Sequence, residues 1–414
     1  MASSSNSNSN DNDHEKVQLL LPEDIMFQIL LWLPVVSLLR FKSVCKSWYS
    51  LIKSSQFISQ HKHKKATITN LLLMLPRAQE IGHSLNFKVI YSSSSSSSSS
   101  SYSNLSGGGS GSSSDINNNN NNIYQTYENL DLPEYFKNKD WDIRWAKMIC
   151  CDGIICLNHQ QWDVSLWNPA TKQFRILPRS PLPLPQIAHG HFMFIGFGFD
   201  VKTNDYKVIR FAFYAPGSSK SGYNQIEVYS LNNNSWKTLD FVLPINFVIS
   251  DPKMPYHNGG EGQVYCWMGK DFHQGGIIRI LSFDFSKEIF ATVPLPNDPT
   301  FQSDRIPQLA ILREKLAIIN GVNFLSEIHA WHYQIWVMNE FGIRESWTKL
   351  YTVGPFSFSQ PIGFPKNEDF FLLVKDRLQL CLCDPITQHI NNLPARDISL
   401  KVQAAVYKES LLPV

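Results

Sequence analysis

The residues that come nearest to a chemical signature are cysteine and histidine doublets: Cys150-Cys151, Cys381-Leu382-Cys383 and His189-Gly190-His191. Thiolates and imidazoles are zinc ligands, but a structural zinc site spaces each pair by two or more residues and needs a second pair. None of these doublets has that gap or that companion. Cys381 and Cys383 fall on one face of a strand, where a free cysteine packs as a small hydrophobe, and His189 and His191 read as a loop ahead of a strand. Gly196-Phe197-Gly198 offers two glycines of a nucleotide loop, yet the third glycine and the helix it should open are missing. Glycines flanked by strand sequence instead permit close backbone packing. A hydrolase would carry its serine on a Gly-x-Ser-x-Gly elbow, and the chain contains none. The sequence therefore reads as non-catalytic, with no metal and no cofactor.

Composition narrows the classes further. A 414-residue chain with 43% hydrophobic and 17% charged residues has enough apolar mass for a small module and a large folded domain. A formal net charge of +2 gives no electrostatic case for nucleic acid. No apolar run reaches the ~18 residues expected of a membrane span, so no membrane partner is expected. Seven cysteines, an odd number in a long chain without a signal-peptide pattern, point to reduced thiols in cytoplasm or nucleus.

The elements that would carry any site begin with residues 20–58, a compact helical stretch. Pro22 suits a helix start, and Glu23 and Asp24 complement the positive end of its dipole. Ile25 to Leu33 is apolar on nearly every side until Pro34 stops it. Ser37 then caps a second helix, with Leu38, Phe41, Cys45, Trp48 and Ile52 on one face. About 40 residues cannot cover so much apolar surface alone, and a surplus of this kind marks a protein-binding surface. The basic run His61–Lys65 reads as a solvated helix exit.

Leu21-Pro22-Glu23-Asp24, Ile29-Leu30, Leu33-Pro34, Ser37-Leu38, Arg40-Phe41, Val44-Cys45-Lys46 and Ser47-Trp48 together resemble the F-box, the helical module that docks the Skp-family adaptor of cullin–RING ubiquitin ligases. The resemblance implies adaptor contacts at Leu21, Pro22, Ile25, Ile29, Leu30, Leu33, Pro34, Val36 and Leu38. It implies that Phe41, Val44, Cys45 and Trp48 share the packing within the module with part of that interface.

After this module the pattern becomes one of short strands, and the large domain is expected to be all-β. Residues 1–16 are a Ser/Asn/Asp-rich tail, 17–62 the helical module and 66–414 the β domain. A Ser/Gly/Asn-rich insert at 92–122 reads as a loop within it. Five units, SLWNPATKQFRILP, VYSLNNNSWKTLD, LSFDFSKEIFATVPLP, IWVMNEFGIRESWTKL and LCLCDPITQHINNLP, recur at ~45–60 residues, close to kelch-type blades of a β-propeller. Trp167, Trp236 and Trp347 fall at equivalent places in these units and read as blade packing. The ring would be sealed by pairing residues 402–411 with the strand near 68–75.

Cys151–Leu157, Leu166–Thr171, Gly196–Asp200 with Asp205–Val208, and the ending Tyr407–Leu411 resemble the plant F-box-associated, kelch-like domain. That resemblance implies capture of a target protein for ubiquitination by a Skp–cullin–F-box ligase, of which this chain would be the substrate receptor. Loops at 214–223, 255–261 and 323–333 are the expected substrate surface, with Tyr256, Trp331 and Tyr333 as anchors. The competing reading is a stand-alone kelch-like binding protein or lectin with no ligase role. An enzyme of the galactose-oxidase type is a more distant third.

Overall fold

The computed structural model describes residues 22–64, 70–78, 83–92, 124–137, 147–158, 163–180, 191–214, 225–240, 247–250, 255–257, 263–271, 276–302, 306–323, 330–357, 359–364, 371–375, 379–393 and 402–414. The chain divides into two compact units, residues 1–64 and 65–414. The expected tail (1–16) and most of the insert (93–122) lie outside the described residues.

Among its described residues the first unit holds four helices: α1 (Glu23–Leu31), α2 (Val35–Phe41), α3 (Lys46–Lys53) and α4 (Ser55–Lys64). Pro22 and Pro34 cap α1 and α2 in extended conformation, so each proline ends one run and frees the next. The expected continuous second helix is instead two. Ser37 lies inside α2, and the chain breaks at Cys45, whose extended backbone restarts a helix by presenting Sγ to the Trp48 N–H (3.5 Å). Inside the unit, Phe27 meets the Phe57 ring edge-on at 5.4 Å, and Trp48 packs on Phe41 while donating Nε1–H to Met26 Sδ. His61 also differs from its expected solvated place. It is buried, stacks on Phe57 and donates Nε2–H to the Leu33 carbonyl at 3.1 Å.

The second unit is built of antiparallel sheets in chain order. β1 (Asn70–Ala78), β2 (His83–Ser92) and β3 (Tyr124–Asn129) belong to the first, followed by a helical turn α5 (Glu134–Lys137). β4 (Lys147–Cys151), β5 (Ile154–Asn158), β6 (Val164–Asn168) and β7 (Gln173–Ile176) form the second. The third holds β8 (His191–Asp200), β9 (Asp205–Tyr214), β10 (Gln225–Ser230) and β11 (Ser235–Thr238). In the fourth, β12 (Phe247–Ser250) and β13 (Pro255–His257) both pair with β14 (Gln263–Asp271), which leads to β15 (Ile277–Asp284) and β16 (Ile289–Val293). The fifth comprises β17 (Gln308–Leu312), β18 (Lys315–Val322), β19 (Trp331–Met338) and β20 (Trp347–Phe356). The sixth comprises β21 (Ser359–Gly363), β22 (Phe371–Lys375), β23 (Gln379–Cys383) and β24 (Ile390–Asn392). The last strand, β25 (Gln403–Tyr407), returns to β1 and completes the first sheet in the order β25-β1-β2-β3. Strands of neighbouring sheets touch in cyclic order, β25 to β4, β4 to β8, β8 to β14, β14 to β17, β17 to β21 and β21 to β25. Among the described residues the result is a closed ring of six sheets, a propeller, which leaves only short edges exposed.

Each blade is covered on both sides, which is why its middle strands are apolar without alternation. In β23, Leu380 and Leu382 join one core shared with the first sheet, and Cys381 and Cys383 join the core shared with the fifth. The two cysteines thus occupy one face as small hydrophobes, as their spacing implies. Gly196 and Gly198 are likewise a packing device. A Cβ on Gly196 would lie 2.9 Å from Trp267, and one on Gly198 2.3 Å from the Phe285 ring of the next blade.

Several tight turns share one construction. The side chain of Asn168, Asp200, Asp284 or Asp384 accepts from backbone N–H groups two or three residues on, and Ser230 does so at three. Four residues after each, Lys172, Asn204, Asn234, Glu288 and Gln388 turn the chain at positive φ. The insert interrupts the corresponding turn of the first sheet, and its flanks β2 and β3 pair with each other. Trp236 and Trp347 sit on outermost strands, donating Nε1–H to the carbonyls of Pro178 and Pro294 in the preceding inter-blade links. Trp167 is not their equivalent. It lies one strand inward on β6, paired with Phe174 and fully buried.

The expected closure is present, with Leu72 opposite Ala405 and Met74 opposite Gln403. Beyond β25 the chain crosses the second sheet, where buried Asn168 donates both Nδ2 hydrogens, to the carbonyls of Ser410 (3.0 Å) and Leu412 (2.8 Å). Asn168→Ala removes a turn cap and leaves these two carbonyls without donors. It is expected to destabilise the propeller by about 2–4 kcal/mol, read as a lower urea midpoint at unchanged slope. An unchanged midpoint would mean that the tail contributes nothing to closure.

Candidate functional site

The helices of the first unit expose a row of large apolar side chains. Ile25, Ile29 and Trp32 follow one another at steps of four and three along α1, and Val36 continues the row on α2. They are 51%, 49%, 68% and 47% exposed. The opposite side of α1 supplies Met26, Phe27, Leu30 and Leu31 to the interior. Pro22 and Pro34 are exposed and Leu33 half-buried, so these too border the surface. Leu30 and Leu38, expected among the contacts, are 1% and 0% exposed. Their α1 and α2 positions point them into the packing, and they serve the surface only by holding it. Leu21 lies outside the described residues. Trp32 was missing from the expected contacts, although its spacing from Ile25 and Ile29 places it on their face. Val44, expected to share internal packing with part of the interface, is 60% exposed.

In the propeller, four antiparallel strands return the chain to the face from which it entered each blade. Connections from first to second and from third to fourth strand lie on one face, where the tight turns are. Connections from second to third strand, and between blades, lie on the other. The expected substrate loops are thereby separated. Residues 214–223 and 323–333 join second to third strands, whereas 255–261 lead from β13 to β14 on the opposite face. Most of these loops (215–224, 258–262 and 324–329) lie outside the described residues. Of the expected anchors, Tyr256 is in β13, paired with Val264. Trp331 is half-buried against the core between the fifth and sixth sheets. Tyr333 is not a surface anchor: it is 1% exposed, with its hydroxyl donating to the Ser359 carbonyl at 2.8 Å. Strand alternation turns it inward.

The titratable groups inside the ring are engaged in structure. Lys207 Nζ lies 2.8 Å from Asp200 and 2.7 Å from Glu288, which also meets Lys237 at 2.9 Å. This clamp joins the third blade to the β15–β16 turn of the fourth. Burial pushes the Asp200 carboxyl up, but hydrogen bonds from Lys207 and Thr203 outweigh it and hold the carboxyl well below the usual range. Glu288 is lowered for the same reason, by Lys207 and Lys237 acting against burial. Burial alone would lower Lys207, yet its two carboxylate partners raise it. All three groups are therefore fixed in their charged forms near neutrality, unsuited to proton transfer. Burial pushes the Cys150 thiol up to about 12 and raises Cys156 and Cys266 as well, so these thiols are neither nucleophiles nor ready metal ligands. Among the described residues, no three His, Cys, Asp or Glu side chains converge as a metal site, and no helix is long and apolar enough to cross a membrane.

Comparison with known proteins separates the same two parts. Residues 19–60 match the F-box domain and residues 92–410 the F-box associated beta propeller domain. The second match opens at Ser92, so β1 and most of β2 precede it. The kelch-like label rests on repeat spacing alone. Across 413 residues the chain is 24% identical to the F-box protein CPR1 of Arabidopsis thaliana, covering 95% of this chain and 88% of that one. It is 24% identical to the F-box protein At3g07870 of the same plant, covering 84% and 75%. Among solved structures, an oligogalacturonate lyase in complex with manganese aligns with 61% of this chain and 64% of its own. The TM-score is 0.37 at 8% identity, too distant a likeness to carry a functional reading.

The inter-blade clamp has a definite pH signature. With carboxyls depressed in the folded state, its stabilisation is present above the ordinary carboxylate range near pH 4 and lost as pH falls through the folded values. The raised lysine keeps its share below about pH 10 and loses it as pH rises through its folded value. Unfolding free energy of the wild type is expected to fall more steeply from pH 5 to pH 3 than that of Asp200→Asn. Equal slopes in urea titrations would remove Asp200 from the account.

Proposed function

Because the chain belongs to the F-box associated β-propeller family, with an F-box ahead of the propeller, we propose that it is a substrate receptor of a Skp–cullin–F-box ubiquitin ligase. The helical unit docks a Skp-family adaptor, and through it the cullin and RING subunits, while the propeller holds a target protein. The receptor supplies no catalytic group. It raises the effective concentration of target lysines near the charged conjugating enzyme, and the rate gain is one of proximity. The cytoplasm or nucleus is where such a complex and these reduced thiols belong.

The observation that carries this reading is the row Ile25, Ile29, Trp32 and Val36, exposed on helices whose interior is already filled. Apolar anchors at the centre of an interface each contribute about 2 kcal/mol or more when fully desolvated. Leu21, Pro22, Leu33 and Pro34 extend the docking surface, with Leu30 and Leu38 supporting it from beneath.

The test is binding of purified adaptor to the full chain. Ile29→Asp and Val36→Asp, both at exposed positions and so compatible with folding, are expected to weaken binding at least tenfold each while leaving the circular dichroism spectrum unchanged. Adaptor that binds both variants as it binds the wild type would contradict docking through this face. Leu30→Asp is a poor probe, since a charge at a buried site disrupts the helices themselves.

A further inference from the structure

We infer that the target is gripped by a cleft at the edge between the fourth and fifth blades, and that the segment held there is an extended peptide combining apolar and carboxylate side chains. The cleft encloses about 570 Å³, within the range of specific small-ligand and peptide-anchor pockets. Ile278, Val293 and Phe301, all largely buried, lie at its base, and Ile277 is half exposed at its edge. The link Pro294-Leu295-Pro296 lines one side. This inference rests on the receptor reading above and specifies where the propeller meets its target.

Charge selects the occupant. Two arginines line the cleft, Arg279 on β15, which already has an interaction of its own, and Arg344 on the turn between β19 and β20, with one carboxylate among the described lining residues, Asp298. Asp298 is already committed to its own link, accepting from the Thr300 N–H at 2.9 Å and bonding the Thr300 hydroxyl at 2.6 Å. Arg344 is exposed and has no ion-pair partner among the described residues. A guanidinium offers paired donors that match a carboxylate, so the cleft favours acidic side chains and disfavours basic ones.

The wall is also built before anything binds. Trp347 Nε1–H holds the Pro294 carbonyl at 2.8 Å, Phe301 packs edge-on against Trp336, and Asn320 Nδ2–H reaches the Thr300 hydroxyl at 2.9 Å. A rigid surface loses little entropy on binding.

The experiment uses a library of randomised twelve-residue peptides selected on the full chain. A second selection uses Arg344→Glu, an exposed substitution in a turn. Wild type is expected to enrich Asp or Glu beside large apolar residues, and the variant to lose that preference. A synthetic selected peptide should bind the variant at least tenfold more weakly by fluorescence anisotropy, and its Glu→Lys counterpart should not bind the wild type. Ile277→Asp should weaken the same peptide without altering the melting profile.

Selection without acidic enrichment, or equal binding by wild type and Arg344→Glu, would overturn the assignment. So would preference for phosphoserine peptides with no binding of their glutamate counterparts. Adaptor binding is measured in parallel on Arg344→Glu. Retained adaptor binding with peptide loss isolates the cleft, whereas failure of the wild type to bind adaptor counts against the receptor reading and leaves the peptide result standing.

Discussion

The pairing of β25 with β1 is the interaction on which the large unit depends. Every other sheet is made of strands close in sequence, while this one joins Leu72 to Ala405 across most of the chain. The entropy of closing so long a loop grows only logarithmically, so a handful of ladder bonds and buried side chains can offset it. Ala405 and Tyr407 enter the core between the first and second sheets, and Val402 enters the one between the first and sixth. Without β25 the first sheet would present an open edge at the centre of the ring, and two inter-blade cores would lose a wall.

Closure also explains which parts of the fold were legible in the sequence. A blade covered on both faces needs middle strands that are apolar throughout, and those runs, such as Ile154–Leu157 and Val164–Trp167, stand out. The outer hairpins stand out too, since an Asp or Asn ahead of a residue at positive φ is a local device with a local signature. Some ring-lining strands do not: β13 reads as loop, and β21 contains Pro361 and Gly363 within five residues. Such strands are short and take much of their environment from neighbours distant in sequence, so no window of residues announces them. The same limit separates Trp167 from Trp236 and Trp347: similarity along the chain did not show which strand each occupied.

In the helical unit, the apolar excess was legible but not its division into inside and outside. Ile25, Ile29, Leu30 and Leu38 are all apolar and closely spaced, and only the packing of α4 against α1 and of α2 against α3 decides which are covered. Leu30 and Leu38 went inward, Trp32 stayed outside.

The same reasoning bears on how a chain of this composition recognises a partner. Aromatic content singled out Tyr333, yet the ring consumes that residue as filling, as it does most of its aromatic side chains. Charge is consumed in the same way: Lys207, Asp200, Glu288, Arg210 and Glu227 are spent between and within blades. What a target meets is therefore set by residues the ring does not need, at the seams where one blade hands the chain to the next. The seam between the fourth and fifth blades combines an apolar base, a link fixed by its own hydrogen bonds and the exposed Arg344. On the proposed receptor reading, discrimination there would come from the penalty on a basic segment as much as from attraction of an acidic one.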